Sequence, residues 1–293
     1  MKTLVTGGLG FVGSNLVDML IELGDEVWIL DDLSSESSSM SNKNSKANLI
    51  VGKVEEIKRL FAFQENGFDR IFHLGAKARI QPSFDNPTDY FNSNALGTSE
   101  VMEFARLTKS GVVVYATTSS KNHGDYISPY TYYKVVGEGI LKTYANCFDM
   151  NCAMATFYNV YGPREPKIGE WATVVAKFGR QFEEGEKLTI VGDGLQSRDF
   201  THVEDICNGL IKISEGNWRG QNFDLGRGNS ISILDVAKMW TDNDLSKIKF
   251  VPLRKNEGQH TESEWMKTYS LIKWRAEKDL SDYIKSCKIL NLQ

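Results

Sequence analysis

A chain of 293 residues with a net charge of −4 is long enough for one large α/β domain with a smaller lobe, and it lacks the cationic excess of a general nucleic-acid binder. Its 41% hydrophobic and 25% charged residues are those of an ordinary soluble globular protein. Net charge does not describe local placement, so a positive pocket for a phosphorylated ligand stays open.

The first apolar run is broken by Gly7, Gly8 and Gly10, which is too short for a secretory segment or a membrane span. Cys147, Cys152, Cys207 and Cys287 form no CxxC pair, and in a chain of this length they read as reduced thiols of a cytoplasmic protein. No His/Cys/Asp spacing points to a metal, and neither a nucleic acid nor a membrane is an expected partner.

Residues 4–5, 27–30, 49–51, 70–74, 112–116 and 152–157 read as buried strands, and 11–23, 54–64, 88–109 and 130–148 carry helical spacing. Strand–helix alternation predicts an α/β fold, a doubly wound parallel sheet of the Rossmann type. The Ser-rich stretch 34–45 is a solvated loop after the second strand. Beyond about Asn159, helices over 172–184, 203–214 and 233–240 alternate with short strand-like pieces, and Gly192-Asp-Gly194 and Gly226-Arg-Gly228 punctuate them. The expected division is a dinucleotide-binding domain over 1–158 and a smaller α+β substrate lobe over 159–293, with interleaved segments.

Gly7, Gly10 and Gly13 lie between the first strand and the first helix. They allow a tight turn, close approach of backbone to a pyrophosphate and close packing of helix on strand. The helix N-terminus adds free N–H groups and a positive dipole end. Asp31 ends the second strand 18 residues after Gly13, where a carboxylate accepts hydrogen bonds from ribose hydroxyls and repels a 2′-phosphate. No arginine stands at 31–33, so NAD is favoured over NADP; the alternative reading of Asp31 is a capping or turn residue.

Tyr130-Thr-Tyr-Tyr-Lys134 opens a predicted helix. Its i,i+4 spacing puts phenol and ammonium on one face, where the cation is expected to hold the phenol's pKa down and make Tyr130 a general base. Tyr269 and Lys273 share the spacing but lie in the C-terminal tail, so only the first pair follows the fifth strand and the Thr117-Thr-Ser-Ser120 cluster.

As an ordered set, the 7–13 glycines, Asp31-Asp-Leu-Ser34, His73-Leu-Gly-Ala76, Asn94-Ala-Leu-Gly-Thr98, Ser119 and Tyr130/Lys134 resemble the extended short-chain dehydrogenase/reductase family. Phe157-Tyr-Asn-Val-Tyr-Gly-Pro-Arg164 and the stretch from Gly192 to Asp205 resemble its NAD-dependent epimerase/dehydratase branch, which includes UDP-glucose 4-epimerases. That resemblance implies a catalytic set of Ser119, Tyr130 and Lys134. It implies an NAD site formed by Gly7, Gly10, Phe11, Val12, Gly13, Asp31, Leu33, Ser34 and Val54, continued by Leu74, Gly75, Ala76, Lys77, Asn94 and Thr117. Tyr130, Lys134, Phe157, Asn159 and Val160 complete that site. Asn159 and Arg198 are implied diphosphate ligands, with Arg254 as a second arginine. From the residues themselves, Lys121 reads as a substrate contact or an exposed loop lysine, and Trp171 and Phe178 as nucleobase contacts or core residues. A homodimer through the 88–109 and 130–148 helices is also implied.

The implied activity is epimerisation of a nucleotide sugar, UDP-linked and at C4, in which Tyr130 takes a hydroxyl proton, hydride leaves to NAD, and the keto-sugar takes it back on its other face. Dehydratases of the family carry Asp-Glu where Ser120-Lys121 stands, decarboxylases a Glu at Lys121, and epimerase–reductases a Cys at Ser120. The alternatives are an NAD(P)H-dependent reductase of an NDP-keto-sugar and a non-catalytic NAD-dependent regulatory or binding protein. The 124–130 segment is shorter than the family norm, and Lys53 stands where an adenine-binding aspartate is usual. His73 reads as a core or supporting residue and not a catalytic one, His202 fits the family's ordinary variation, and His260 has no evident partner.

Overall fold

Short β-branched runs that must bury both faces form a parallel sheet covered by helices. In the computed structural model, which describes residues 1–35, 37–169, 171–252 and 259–290, these are β1 (Lys2–Thr6), β2 (Glu26–Asp31), β3 (Asn48–Val51), β4 (Arg70–His73), β5 (Val112–Thr118) and β6 (Cys152–Phe157), joined by β7 (Arg219–Leu225). The sheet order is β7-β6-β5-β4-β1-β2-β3, and the strands from β3 through β6 pair in parallel. The order reverses beside β1, the topology of a Rossmann-type doubly wound fold. No helix of the described residues is long and apolar enough to cross a membrane.

The chain divides into one unit of Met1–Phe157 with Cys207–Phe223 and another of Tyr158–Ile206 with Asp224–Gln293. A cut at residue 158 therefore misplaces 207–223, which returns to the first unit to add β7. In the second unit, strands Ser230–Ser232, Ser197–His202 and Asn159–Tyr161 form a three-stranded sheet, and Leu188–Val191 pairs in parallel with Ile248–Val251. A separate core of that unit gathers Phe178, Phe200, Val236 and Trp240.

Two predicted helices take other forms. The 54–64 stretch is a 3-10 turn at Val54–Glu56 and one α-turn at Ile57–Leu60. Phe61 and Phe63, two residues apart, stack with centroids 5.9 Å apart, which a continuing helix forbids because i,i+2 side chains do not share a face. The 88–109 stretch runs as Pro87–Tyr90, a π-helical segment Phe91–Leu96 and an α-helix Gly97–Leu107. The Pro129–Phe148 helix starts with proline at its first position and the Ser128 side chain capping Thr131 N–H.

At the far end of the sheet from the glycine loop, Arg70 and Asp25 form a buried pair at 2.6 Å, with side chains 5% and 4% exposed. Arg70 also reaches Thr3 and Ser214. Burial pushes the Asp25 carboxyl up, but hydrogen bonds from Thr3 and Arg70 and the Arg70 charge outweigh it, so Asp25 stays below the usual carboxylate range. A depressed pKa stabilises the fold above the unfolded value and loses that contribution as pH falls through the folded one. Asp25→Asn is expected to cost about 3 kcal/mol at neutral pH by leaving the guanidinium buried without its counter-charge. The difference from wild type is expected to shrink below about pH 4, as urea melts at both pH values would show; an equal deficit at acid pH would exclude the ion pair as its cause.

Candidate active site

The glycine loop is set by backbone contacts. Gly7 has φ +69°, and a Cβ on it would lie 2.8 Å from the amide nitrogen of Gly75 in the loop after β4. A Cβ on Gly13 would lie 2.0 Å from the Gly7 carbonyl oxygen, so the Phe11–Glu22 helix rests directly on the loop. Gly10 caps that helix without a side-chain hydrogen bond, and Phe11 and Val12 form its first turn. Uncapped N–H groups at a dipole's positive end suit a pyrophosphate, so the loop fits a dinucleotide.

Asp31 is 5% exposed. Its Oδ2 accepts from Leu9 N–H at 3.0 Å, and its Oδ1 from Leu33 N–H at 2.9 Å and Ser38 Oγ at 2.8 Å. These use three of the roughly four lone-pair positions of a carboxylate, which leaves room for a ribose hydroxyl. Leu33 holds φ +57°, and Ser34 N–H donates to Asp32. Beyond it, the loop after β2 lies on the glycine loop, with Ser37 and Ser38 hydroxyls near Gly10.

Beyond β4 the chain passes Leu74, Gly75, Ala76 and Lys77 under tight control. Gly75 N–H donates to Thr6 Oγ1, and Val54 packs against both Gly75 and Gly97. Asn94, fully buried in the π-helical segment, accepts from Lys77 N–H and donates to Lys77 C=O, each at 2.8 Å. Its amide is engaged by the chain itself, so Asn94 shapes the loop that borders the cofactor site. His73 joins Thr6 at 2.8 Å and Thr98 at 3.0 Å, and Thr98 Oγ1 donates to Asn94 C=O. Since the Thr98 proton is engaged there, His73 Nε2 donates to Thr98 and Nδ1 accepts from Thr6. Burial, with the Lys134 charge, holds His73 down at about 3: a neutral strut.

Ser119 opens a 3-10 turn, Ser119–His123, at the end of β5. Hydroxyls stitch this turn to the helix that follows: Thr118 to Ser120 at 3.0 Å, Ser120 to Thr131 at 2.9 Å, and Ser128 to Thr131 at 2.9 Å. The stitching compensates for the short connection, whose Tyr126 is 83% exposed. Tyr130 packs edge-on against Tyr90 at 6.3 Å, and Tyr90 hydroxyl donates to Ala78 C=O. Burial pushes the Tyr130 phenol above the usual tyrosine range, opposed by a hydrogen bond with Thr118 and by the charge of Arg79.

Lys134 is packed against β5. It is 5% exposed, donates from Nζ to Ala116 C=O at 2.8 Å and lies 4.8 Å over the Tyr115 ring. Burial holds it down to about 7, against the raising effect of Glu138. The cations that ease ionisation of Tyr130 therefore include Arg79, which occupies a left-handed backbone position at φ +82°; such strain in a non-glycine residue clusters at functional sites. Thr117 and Lys121 meet at one carboxylate. The Thr117 hydroxyl and the Lys121 ammonium both bond Glu138 Oε1, each at 2.6 Å, so Lys121 stands in an ion pair. Thr118, Arg79, Tyr90 and Glu138 were missed as site residues; the only local signal was that Glu138 follows Lys134 by one helical turn.

Phe157 ends β6 in the first unit. In the second unit, Asn159 pairs with Phe200 and Val160 with Thr201 on parallel strands. Arg198, two residues before Phe200, therefore shares a sheet face with Asn159. Arg198 Nη1 donates to Ser197 C=O at 2.9 Å, and Asn159 Nδ2 to Thr261 Oγ1 at 3.4 Å. Trp171 is half-buried before the Val174–Glu183 helix, whereas Phe178 is fully buried in the core and unavailable to a nucleobase. Arg254 lies outside the described residues. His202 is a core residue held down to about 4 by burial, and His260 does have a partner, Ser197 Oγ at 2.7 Å. Tyr269 and Lys273 lie at the surface, the ammonium over the phenol ring at 5.3 Å.

The model of the NAD dependent epimerase/dehydratase family matches residues 3–226. A UDP-glucose 4-epimerase of Mycolicibacterium smegmatis is 35% identical over 252 residues, covering 80% of each chain. Among solved structures, a UDP-glucose 4-epimerase of Thermotoga maritima with UDP-glucose superimposes with a TM-score of 0.92, at 26% identity and full coverage of both chains. A UDP-N-acetylglucosamine 4-epimerase of Methanobrevibacter ruminantium, in complex with UDP-N-acetylmuramic acid, gives 0.87 at 25% identity, covering 100% of this chain and 99% of that one. With a dinucleotide loop, an acidic end to β2 and a tyrosine–lysine helix in one sheet, the chain belongs to the NAD dependent epimerase/dehydratase family and is an enzyme whose cofactor is NAD.

Proposed function

We propose that the protein is a nucleotide-sugar 4-epimerase acting on UDP-linked sugars. The observation that carries this reading is the half-buried Tyr130 phenol, hydrogen-bonded to Thr118 at the end of β5 and followed one turn later by Lys134. Tyr130 takes the proton from the sugar's C4 hydroxyl, and Ser119 orients that hydroxyl by hydrogen bonding. NAD, held by the Gly7–Gly13 loop and Asp31, would supply a hydride acceptor at C4 and return the same hydride, so the reaction has no net redox change. Tyr130 then gives the proton back to the inverted alkoxide. Arg198 and Asn159 hold the diphosphate, the arginine through charge-assisted bonds.

Lys121 supports epimerisation over the family's other reactions. At the position that carries an acid in dehydratases and decarboxylases there is a cation engaged with Glu138, so no second acid serves the neighbouring carbons. The assembly that fits is a homodimer through the 88–109 and 130–148 stretches, supported by exposed Phe91, Leu96, Leu107, Tyr132 and Phe148 along them. The test is NMR of the purified protein with UDP-glucose or UDP-N-acetylglucosamine and no added NADH. Appearance of the C4-inverted sugar at constant total cofactor is expected. Turnover only with a keto-sugar and supplied NADH would make the protein a reductase instead.

A further inference from the structure

The helix face that carries Tyr130 and Lys134 continues to Glu138, four residues on. Glu138 is 8% and Lys134 5% exposed, so acid and amine share one dry stripe. Glu138 Oε1 accepts from Thr117 on β5 and from Lys121 on the 3-10 turn, each at 2.6 Å. The remaining groups facing Lys134 carry no charge of their own: Tyr115 on β5, pushed well above its usual range by burial, His73 on β4, held to about 3 by burial, and Tyr130 on its own helix. One carbonyl and one ring face do not replace the hydration of an ammonium, and a buried amine without a counter-charge sheds its proton.

We infer that Glu138 is a positioning residue for Lys134: its carboxylate, clamped between Thr117 and Lys121, is the buried counter-charge that lets Lys134 stand as an ammonium behind Tyr130, and Lys121 sets how much of that charge Lys134 feels. This rests on the reading of Tyr130 and Lys134 as the working pair and adds a third and fourth member to it. Lys121 lies against the carboxylate and cancels part of its field, so the two neighbours act on Lys134 with opposite signs. Removing Glu138 withdraws attraction from the ammonium; removing Lys121 uncovers more of it.

The test reads Lys134 itself. In protein carrying carbon-13 at the lysine Cε, the resonance lost in Lys134→Met belongs to Lys134, and its titration needs no sugar. The Lys134 midpoint is expected to fall by about one pH unit or more in Glu138→Gln and to rise by a similar amount in Lys121→Met. An unchanged midpoint in Glu138→Gln, or one that stays or falls in Lys121→Met, overturns the inference. If Glu138→Gln does not fold, Lys121→Met decides alone, because Lys121 sits on a partly exposed turn. Because the titration is independent of turnover, absence of 4-epimerase activity counts against the functional reading and not against this one.

Discussion

Tyr130→Phe is expected to lower kcat for sugar inversion by about 10²–10⁴-fold, the range a positioned general acid–base supplies, while KM and NAD content stay near wild type. The substitution removes one oxygen and keeps the ring, so the edge-on contact with Tyr90 at 6.3 Å survives. Thr118 loses one partner but keeps Ser120 at 3.0 Å, so the stability change is expected to be about 1 kcal/mol. Turnover by NMR, cofactor absorbance after denaturation and a calorimetric melt separate the two effects. A rate within tenfold of wild type, at normal cofactor content, would remove Tyr130 from the chemistry. A large loss of stability would instead make it a packing residue.

The parts of the site legible in the sequence are those whose geometry is local. Gly7, Gly10 and Gly13 sit in one turn, and Tyr130 and Lys134 lie one helical turn apart, so spacing alone places them. What Lys134 touches was not legible: its partners are a carbonyl of β5, a ring of β5 and the field of Glu138, and only the packing of helix on strand brings these together. The same packing makes Lys121 the partner of Glu138. Ser119 and Thr118 are neighbours with similar side chains, and strand alternation, not composition, decides which of them meets the phenol. The sheet was legible from its apolar runs, but β7 was not. Its alternation allows a strand without saying which sheet it joins, and only the return of 207–223 to the first unit makes it the seventh member. Phe61 and Phe63 show the converse, a helical-looking stretch overruled by aromatic packing.

Gly13→Ala is expected to weaken NAD binding by about 100-fold, or about 3 kcal/mol, and to lower stability by about 1–3 kcal/mol, as overpacking does. The added Cβ would stand 2.0 Å from the Gly7 carbonyl oxygen, 2.8 Å from the Gly7 carbonyl carbon and 2.9 Å from the Gly8 Cα. All three are backbone atoms, so no flexible side chain can give way; either the helix lifts or the loop opens, and both displace the N–H groups that would face the pyrophosphate. Gly10→Ala is the internal control, because its nearest neighbour is the Gly7 carbonyl oxygen at 3.4 Å, with Ser37 Oγ next at 3.8 Å. The thermal shift produced by NAD should therefore nearly vanish in Gly13→Ala and persist, reduced, in Gly10→Ala. If both variants bound NAD like wild type, the loop would not be the cofactor's cradle. If Gly10→Ala were the worse of the two, direct crowding of the pyrophosphate would outweigh the helix–loop contact at Gly13.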